Sequence, residues 1–224
     1  MRTRVKVCCI ASREEAAMAI DAGADLLGLV GPMPSGPGPI PLELAAEIAQ
    51  TAPPGVASVL LTSATELAAL VEEGELVRPT VLQLTDGVER AVLEGLRERA
   101  GGTRLLQVLH VEDERVLATA RALAPLVDGF LLDSGRPDAA VKELGGTGHV
   151  HDWQLSRQVV DAVNRPVFLA GGLKPANIGS AIGAVRPFGV DLCSGIRANG
   201  KLDAVLLDSF MRGVRTADNE ERRE

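Results

Sequence analysis

Arg4-Val5-Lys6-Val7-Cys8-Cys9-Ile10 is the stretch whose reading decides the fold. Small apolar and β-branched residues alternate along it, and it stops at Ala11-Ser12, where a helical pattern begins. It reads as a first strand feeding a first helix. Ser12-Arg13-Glu14-Glu15 has the capping-box spacing, with a Glu three residues after the Ser. The helix takes in Ala16, Ala17, Met18 and Ile20 and ends near Gly23. Asp25-Leu26-Leu27-Gly28-Leu29-Val30 follows and is nearly all apolar, as a parallel strand covered on both faces must be.

Outward from this unit the pattern repeats. Further strands are expected at 56–61, 80–84, 104–109, 129–133, 166–170 and 189–193. Helices are expected at 42–52, 63–71 with Ser63 as cap, 88–100, 112–123, 152–163, 175–185 and 202–214. Alternating strands and helices imply a parallel sheet with right-handed crossovers. Eight such units favour closure into an α/β (β/α)8 TIM barrel. The rival, an open doubly wound sheet, calls for a dinucleotide fingerprint after the first strand, and none is there. No proline-rich linker divides the chain, so one domain is expected over residues 1–218. Residues 219–224 read as a charged, disordered tail.

Composition narrows the function. The chain is 46% hydrophobic but only 2% aromatic, so its core must be aliphatic. A net charge of −7 and the lack of a dense basic run argue against a nucleic-acid partner. Three cysteines, two of them adjacent, do not make a disulfide framework and suit a reduced, cytoplasmic setting. No apolar stretch has signal-peptide or membrane-spanning length, so no membrane partner is expected. His110, His149 and His151 are the only histidines, and Cys8-Cys9 lacks zinc spacing, so no metal is expected. His149 and His151 read as surface loop residues. The sequence fixes no oligomeric state.

In a parallel barrel the chemistry gathers where the strands end. Cys8 and Asp133 end the first and sixth strands, on opposite sides of the expected mouth. A carboxyl after four apolar or small residues is partly desolvated and usable as an acid. A lone thiol is more often an inert core residue, but a thiol and an acid facing each other across a substrate suit a proton relay. Cys9 alternates to the other face and is expected to pack toward the helices. Glycines follow the last two strands, at Gly171-Gly172 and at Ser194-Gly195, where backbone N–H groups can meet a phosphate. The loop Gly146-Thr147-Gly148 could close over the same ligand. The plainer reading of all three is tight turns that need glycine.

These residues together resemble the phosphoribosylanthranilate isomerase family. Lys6-Val7-Cys8-Cys9-Ile10-Ala11 stands where the family has K-[IV]-C-G-I-T. Ala22-Gly23-Ala24-Asp25, Leu131-Leu132-Asp133-Ser134, Gly145-Gly146-Thr147-Gly148 with Asp152-Trp153, Ala170-Gly171-Gly172-Leu173-Lys174-Pro175-Ala176-Asn177 and Gly189-Val190-Asp191-Leu192-Cys193-Ser194-Gly195 are similar to its later motifs, in order. The resemblance implies an Amadori rearrangement of N-(5-phosphoribosyl)anthranilate in tryptophan biosynthesis, with no cofactor. It implies Asp133 as general acid on the ring oxygen and Cys8 as general base at the second sugar carbon. It implies a phosphate held by Gly146, Thr147, Gly148, Gly171, Gly172, Ser194 and Gly195.

Several positions depart from that pattern. The loop after the second strand normally carries S-P-R, whose Arg would bind the anthranilate carboxylate. No Arg or Lys lies between Val30 and Pro41 here. A lost charge-assisted contact costs on the order of 1.5–3 kcal/mol. Gln83-Leu84-Thr85-Asp86 replaces Q-L-H-G and sets an acid near the expected aromatic end. Cys9 replaces Gly, Ala11 replaces Thr, and Arg197 stands where Glu is usual; Arg197 reads as a solvated helix-entry charge. Three readings follow: the isomerase with its substrate held differently, a divergent paralogue acting on another phosphosugar, or a non-catalytic phosphate-binding barrel. In each the partner is a small phosphorylated molecule.

Overall fold

The computed structural model describes residues 2–34, 36–99, 101–133 and 152–221. The first half of the ring is β1 (Arg4–Val7), α1 (Arg13–Ala22), β2 (Leu26–Val30), α2 (Leu42–Thr51), β3 (Ala57–Thr62), α3 (Leu67–Val77), β4 (Val81–Leu84) and α4 (Arg90–Arg99). The second half is β5 (Arg104–His110), α5 (Arg115–Leu123), β6 (Gly129–Asp133), α6 (Trp153–Ala162), β7 (Val167–Leu169), α7 (Ile178–Val185), β8 (Gly189–Leu192) and α8 (Ala204–Glu221). The strands pair in parallel in chain order and close, β1 lying beside β8 as well as β2. The expected (β/α)8 barrel is the fold.

The core has two layers, and the strand pleat decides which residue joins which. Val5, Val7, Leu27, Leu29, Phe130, Leu132 and their equivalents face outward and pack under the helices. Leu26, Val30, Val59, Leu61, Leu106, Val108, Leu131 and Phe168 face inward and fill the barrel. Phe130 supplies one of the few large side chains of an otherwise aliphatic outer layer and is fully buried.

Local chemistry sets the boundaries. Ser12 caps α1, its hydroxyl accepting from the Glu15 N–H at 3.2 Å. β1 stops at Val7 although strand character was expected through Ile10. Cys8 N–H still donates to Leu192 O at 2.8 Å and Ile10 N–H to Gly28 O at 3.0 Å. Between them Cys9 takes φ 61, a left-handed conformation that interrupts the ladder. Ser63 does not cap α3, which begins at Leu67 after an extended Glu66. α7 begins three residues after Pro175, because Asn177 first folds back: its amide donates to Gly172 O at 2.9 Å.

The chain after β8 was read too simply. A 3-10 turn (Ser194–Ile196) and an antiparallel hairpin, β9 (Arg197–Ala198) with β10 (Lys201–Leu202), precede α8. The helix then starts at Ala204, capped by Asp203, and runs through Glu221, past the expected end at Val214. Residues 219–221, expected in a disordered tail, continue this helix. The reason lies at Asp218, whose buried carboxylate accepts from Thr3 N–H at 3.0 Å and Thr3 Oγ1 at 2.6 Å. That contact ties the last helix to the start of β1.

Phe130→Ala is expected to lower the unfolding free energy by about 3–5 kcal/mol, read as a lower urea midpoint. An unchanged midpoint would mean that the helices do not depend on this outer layer.

Candidate active site

The inward-facing residues rise in steps of two toward the carboxyl end of the strands. The uppermost on each strand are Cys8, Val30, Leu61, Thr85, His110, Asp133, Ala170 and Cys193, one per strand, and all eight line one cleft of about 750 Å³. Met33, Gly36 and Pro37 of the loop after β2 close one side, and Gly171, Gly172, Leu173 and Ser194 another.

Beneath this rim lies an ion pair. Lys6 Nζ is 2.9 Å from Asp191 Oδ1, on in-register neighbours of β1 and β8. The contact is an attraction of charges, since neither atom has an aligned hydrogen bond. Burial works against the charge on Lys6, which has no exposed surface, but the Asp191 carboxylate, with the nearby sulfur of Cys8, outweighs it and pushes the ammonium up above its ordinary range. Gly28 makes room for this. A Cβ there would lie 2.9 Å from Cys8 Cα, 3.0 Å from its sulfur and 3.2 Å from Lys6 Nζ.

Cys8 and Asp133 both face the cleft as expected, three strands apart in the ring of eight. Both are buried. At the β7 turn Gly171 and Gly172 take φ 82 and 64, so two successive left-handed residues turn the backbone into the cleft without side chains. Ser194 lines the same end. Gly195 does not line it. It lets the β7 and β8 turns touch, since a Cβ there would lie 2.1 Å from Leu173 O. Gly146, Thr147 and Gly148, with His149 and His151, lie outside the described residues.

Two expectations for this end are corrected. Cys9 packs inside, not toward the helices, because its left-handed backbone swings the thiol back to the cleft. It meets Cys8 and Cys193 there; hydrogen bonding to Cys193 and Cys8, together with burial, pushes its thiol far up. Cys193 is moved down, first by the bond from Cys9, which with the Arg197 guanidinium outweighs burial. Among the described residues no group of His, Cys, Asp and Glu is arranged to hold a metal ion.

Arg197 is likewise no solvated charge; its side chain is only 9% exposed. The guanidinium pairs with both oxygens of Glu15 at 3.0 Å and donates to the carbonyls of Cys9, Cys8 and Gly200. Glu15 also accepts from Leu202 N–H at 2.9 Å and Ala11 N–H at 3.1 Å. Helix α1, the hairpin and the end of β1 are thus clamped at one point, directly behind Cys8. Asp86, expected to threaten the aromatic end, does not line the cleft; Thr85 does, its hydroxyl donating to Thr62 O at 2.9 Å.

His110 and Thr85 were missed as site residues, although the signal was present. His110 follows Leu106 and Val108 at steps of two and is in register with Asp133, so the pleat alone turns it inward. Arg197 could not be found this way, because its partners come from α1 and from a hairpin without a strand-like pattern.

A closed parallel barrel with a thiol and a carboxyl facing one cleft beside glycine turns is the class that fold and site define. The family model described as N-(5'-phosphoribosyl)anthranilate (PRA) isomerase matches residues 5–212. The chain is 39% identical to an N-(5'-phosphoribosyl)anthranilate isomerase of Haloferax volcanii over 96% of this chain and 94% of that one. It is 35% identical to that of Methanocella arvoryzae, over 95% and 98%. Among solved structures, the phosphoribosylanthranilate isomerase of Thermotoga maritima is 32% identical with a TM-score of 0.80, covering 96% of this chain and 99% of that one. Another, solved with reduced 1-(o-carboxyphenylamino)-1-deoxyribulose 5-phosphate, is 30% identical with a TM-score of 0.77, over 96% and 99%. The chain belongs to the phosphoribosylanthranilate isomerase family. Among the described residues no helix is long and apolar enough to cross a membrane.

The clamp makes a pH prediction. Burial would raise the Glu15 carboxyl, but its bonds to Arg197, Leu202 and Ala11 hold it below 4.5. Its stabilisation is therefore present above pH 4.5, the unfolded value, and is lost as pH falls through the folded value. Glu15→Gln should melt lower than the wild type at pH 7, with the two melting curves converging as the pH falls below 4. A gap that stays constant across this range would mean that the Glu15 charge is not what holds the clamp.

Proposed function

We propose that this chain catalyses the Amadori rearrangement of N-(5'-phosphoribosyl)anthranilate to 1-(o-carboxyphenylamino)-1-deoxyribulose 5-phosphate, a step of tryptophan biosynthesis. The observation that carries the reading is the placing of Cys8 and Asp133 on one cleft, with the β7 and β8 turns on a third side. The cleft takes a substrate whose phosphate meets the N–H groups around Gly171, Gly172 and Ser194. The loop Gly146-Thr147-Gly148 is proposed to join them. The ribose then lies between the thiol and the carboxyl, and the aromatic ring against Val30, Met33, Leu61 and Val108.

The chemistry is proton transfer throughout. Asp133 gives its proton to the ring oxygen as the bond from that oxygen to the first sugar carbon breaks. The nitrogen lone pair forms the C=N bond of a protonated Schiff base. Cys8, as thiolate, removes the proton from the second carbon, and that electron pair becomes the C=C bond of an enolamine while C=N becomes C–N. Tautomerisation puts a proton on the first carbon and leaves a ketone at the second. One carbon is reduced and its neighbour oxidised within the same molecule.

Isomerisation of freshly generated phosphoribosylanthranilate, followed by loss of its fluorescence, tests the assignment. Cys8→Ala and Asp133→Asn should each lower kcat by about a hundredfold to ten-thousandfold, with melting temperatures kept within a few degrees. Turnover that survives in either variant would remove that residue from the chemistry.

A further inference from the structure

The substrate carries a second anion, the anthranilate carboxylate, far from the phosphate. Among the described residues, the loop after β2 brings Met33, Gly36 and Pro37 to the cleft, and none of their side chains is charged. Lys6 lies below the rim and is taken by Asp191, and Arg197 is taken by Glu15 and does not line the cleft. Among the described lining residues one side chain alone is basic, His110. Both of its ring nitrogens are buried, and neither has a hydrogen-bond partner among the described residues. An imidazole of a half-buried residue whose two nitrogens are themselves buried and unpaired costs free energy unless something satisfies it. In either protonation state the ring has an N–H to give.

Position agrees with chemistry. β5 lies between β4 and β6, two strands from β7 and three from β8, so its rim is set apart from both turns. His110 tops it, next to Asp133 in register and above Val108 on the apolar wall. The other polar groups at this end are less suited. Thr85 already spends its hydroxyl proton on Thr62 O. Gln83 is neutral and one layer deeper. An aromatic ring on the apolar wall, bonded through its amine to a sugar held at Asp133, brings an ortho substituent to the β5 rim.

We infer that His110 is the specificity-determining residue that reads the anthranilate carboxylate, donating an imidazole N–H to it in place of a loop cation. This rests on the isomerase reading. It assigns the residue a role that spares the proton transfers at Cys8 and Asp133. His110 binds the carboxylate in the ground state and the transition state alike, so its removal acts on KM more than on kcat.

The experiment compares wild type, His110→Leu and His110→Gln with two substrates: phosphoribosylanthranilate, and phosphoribosylaniline, which lacks the carboxylate. Affinity for the reduced product with and without its carboxylate is measured in parallel by calorimetry. His110→Leu is expected to raise KM for the natural substrate by about tenfold to a hundredfold, with kcat changed less than threefold and the aniline substrate unaffected. His110→Gln, which keeps an N–H donor, should recover part of the loss. Equal losses on both substrates, or a fall confined to kcat, would overturn the role and point to proton delivery at Asp133. The binding ratio separates the two layers of the argument. A wild-type protein that binds both reduced products but turns over neither substrate would sink the isomerase reading. The carboxylate role would then stand or fall on whether His110→Leu erases the preference for the carboxylated ligand. Melting temperatures within a few degrees of wild type exclude misfolding as the cause.

Discussion

The seam between β1 and β8 is the constraint on which the site depends. It closes the barrel and sets Cys8 beside Cys193 and the turns after β7 and β8. Its register is marked by Lys6 against Asp191, buried in the middle of the barrel. A buried ion pair is weak evidence of net stability, since desolvation offsets most of the attraction. Its effect here is on alignment. Sliding β1 by one residue would turn Lys6 toward the layer where Val5, Val7 and Val190 pack under the helices. An uncompensated buried charge costs about 3–5 kcal/mol, so the slipped barrel is not competitive. The pair that places the Cys8 thiol also leaves an ammonium in its neighbourhood, and one interaction thereby sets both the register and the local charge.

The replacements around Cys8 belong to one another. A left-handed non-glycine residue is strained by roughly 1–2 kcal/mol, and Cys9 sits where the family's motif has glycine. Arg197, in place of the usual Glu, donates to the carbonyls of Cys8 and Cys9 and so holds that backbone turn from behind. An acid at 197 would repel those carbonyls and Glu15 alike. Cys193 meets the Cys9 thiol across the seam. Read one by one these changes look like erosion. In three dimensions they form a single alternative support for the same strand end.

What the sequence makes legible follows the range of the interactions. Strand periodicity and capping are local, so the eight units, Ser12 as a cap and the inward placing of Cys8 and Asp133 could be read directly. The interior position of Cys9 could not, because a positive φ breaks the alternation on which that reading relied. The burial of Arg197 depends on Glu15, 182 residues away in the chain, and on a short hairpin with no repeat. The length of α8 was hidden by charge: its last turns look polar, yet Asp218 is buried against Thr3. His110 is a different failure. Its signal was local and was set aside because histidine was considered as a metal ligand and not as a rim residue.

The site divides its labour by the kind of group that does the recognising. The proposed function gives the phosphate to backbone at turns whose glycines are fixed by left-handed φ and by close contact, as at Gly195 against Leu173 O. The proposed function gives the proton transfers to two side chains on strand ends, whose positions the barrel sets to within the play of a rotamer. Only the carboxylate end is left to a side chain that can change its address without disturbing the rest. A loop arginine reaches its ligand on a flexible stem, which must be ordered on binding. An imidazole on the last residue of β5 is already held by the sheet and has two χ angles. Moving the contact from loop to strand therefore exchanges a stronger charge for less ordering on binding, which is how a loop of glycine and proline can coexist with Cys8 and Asp133 in place on the same cleft.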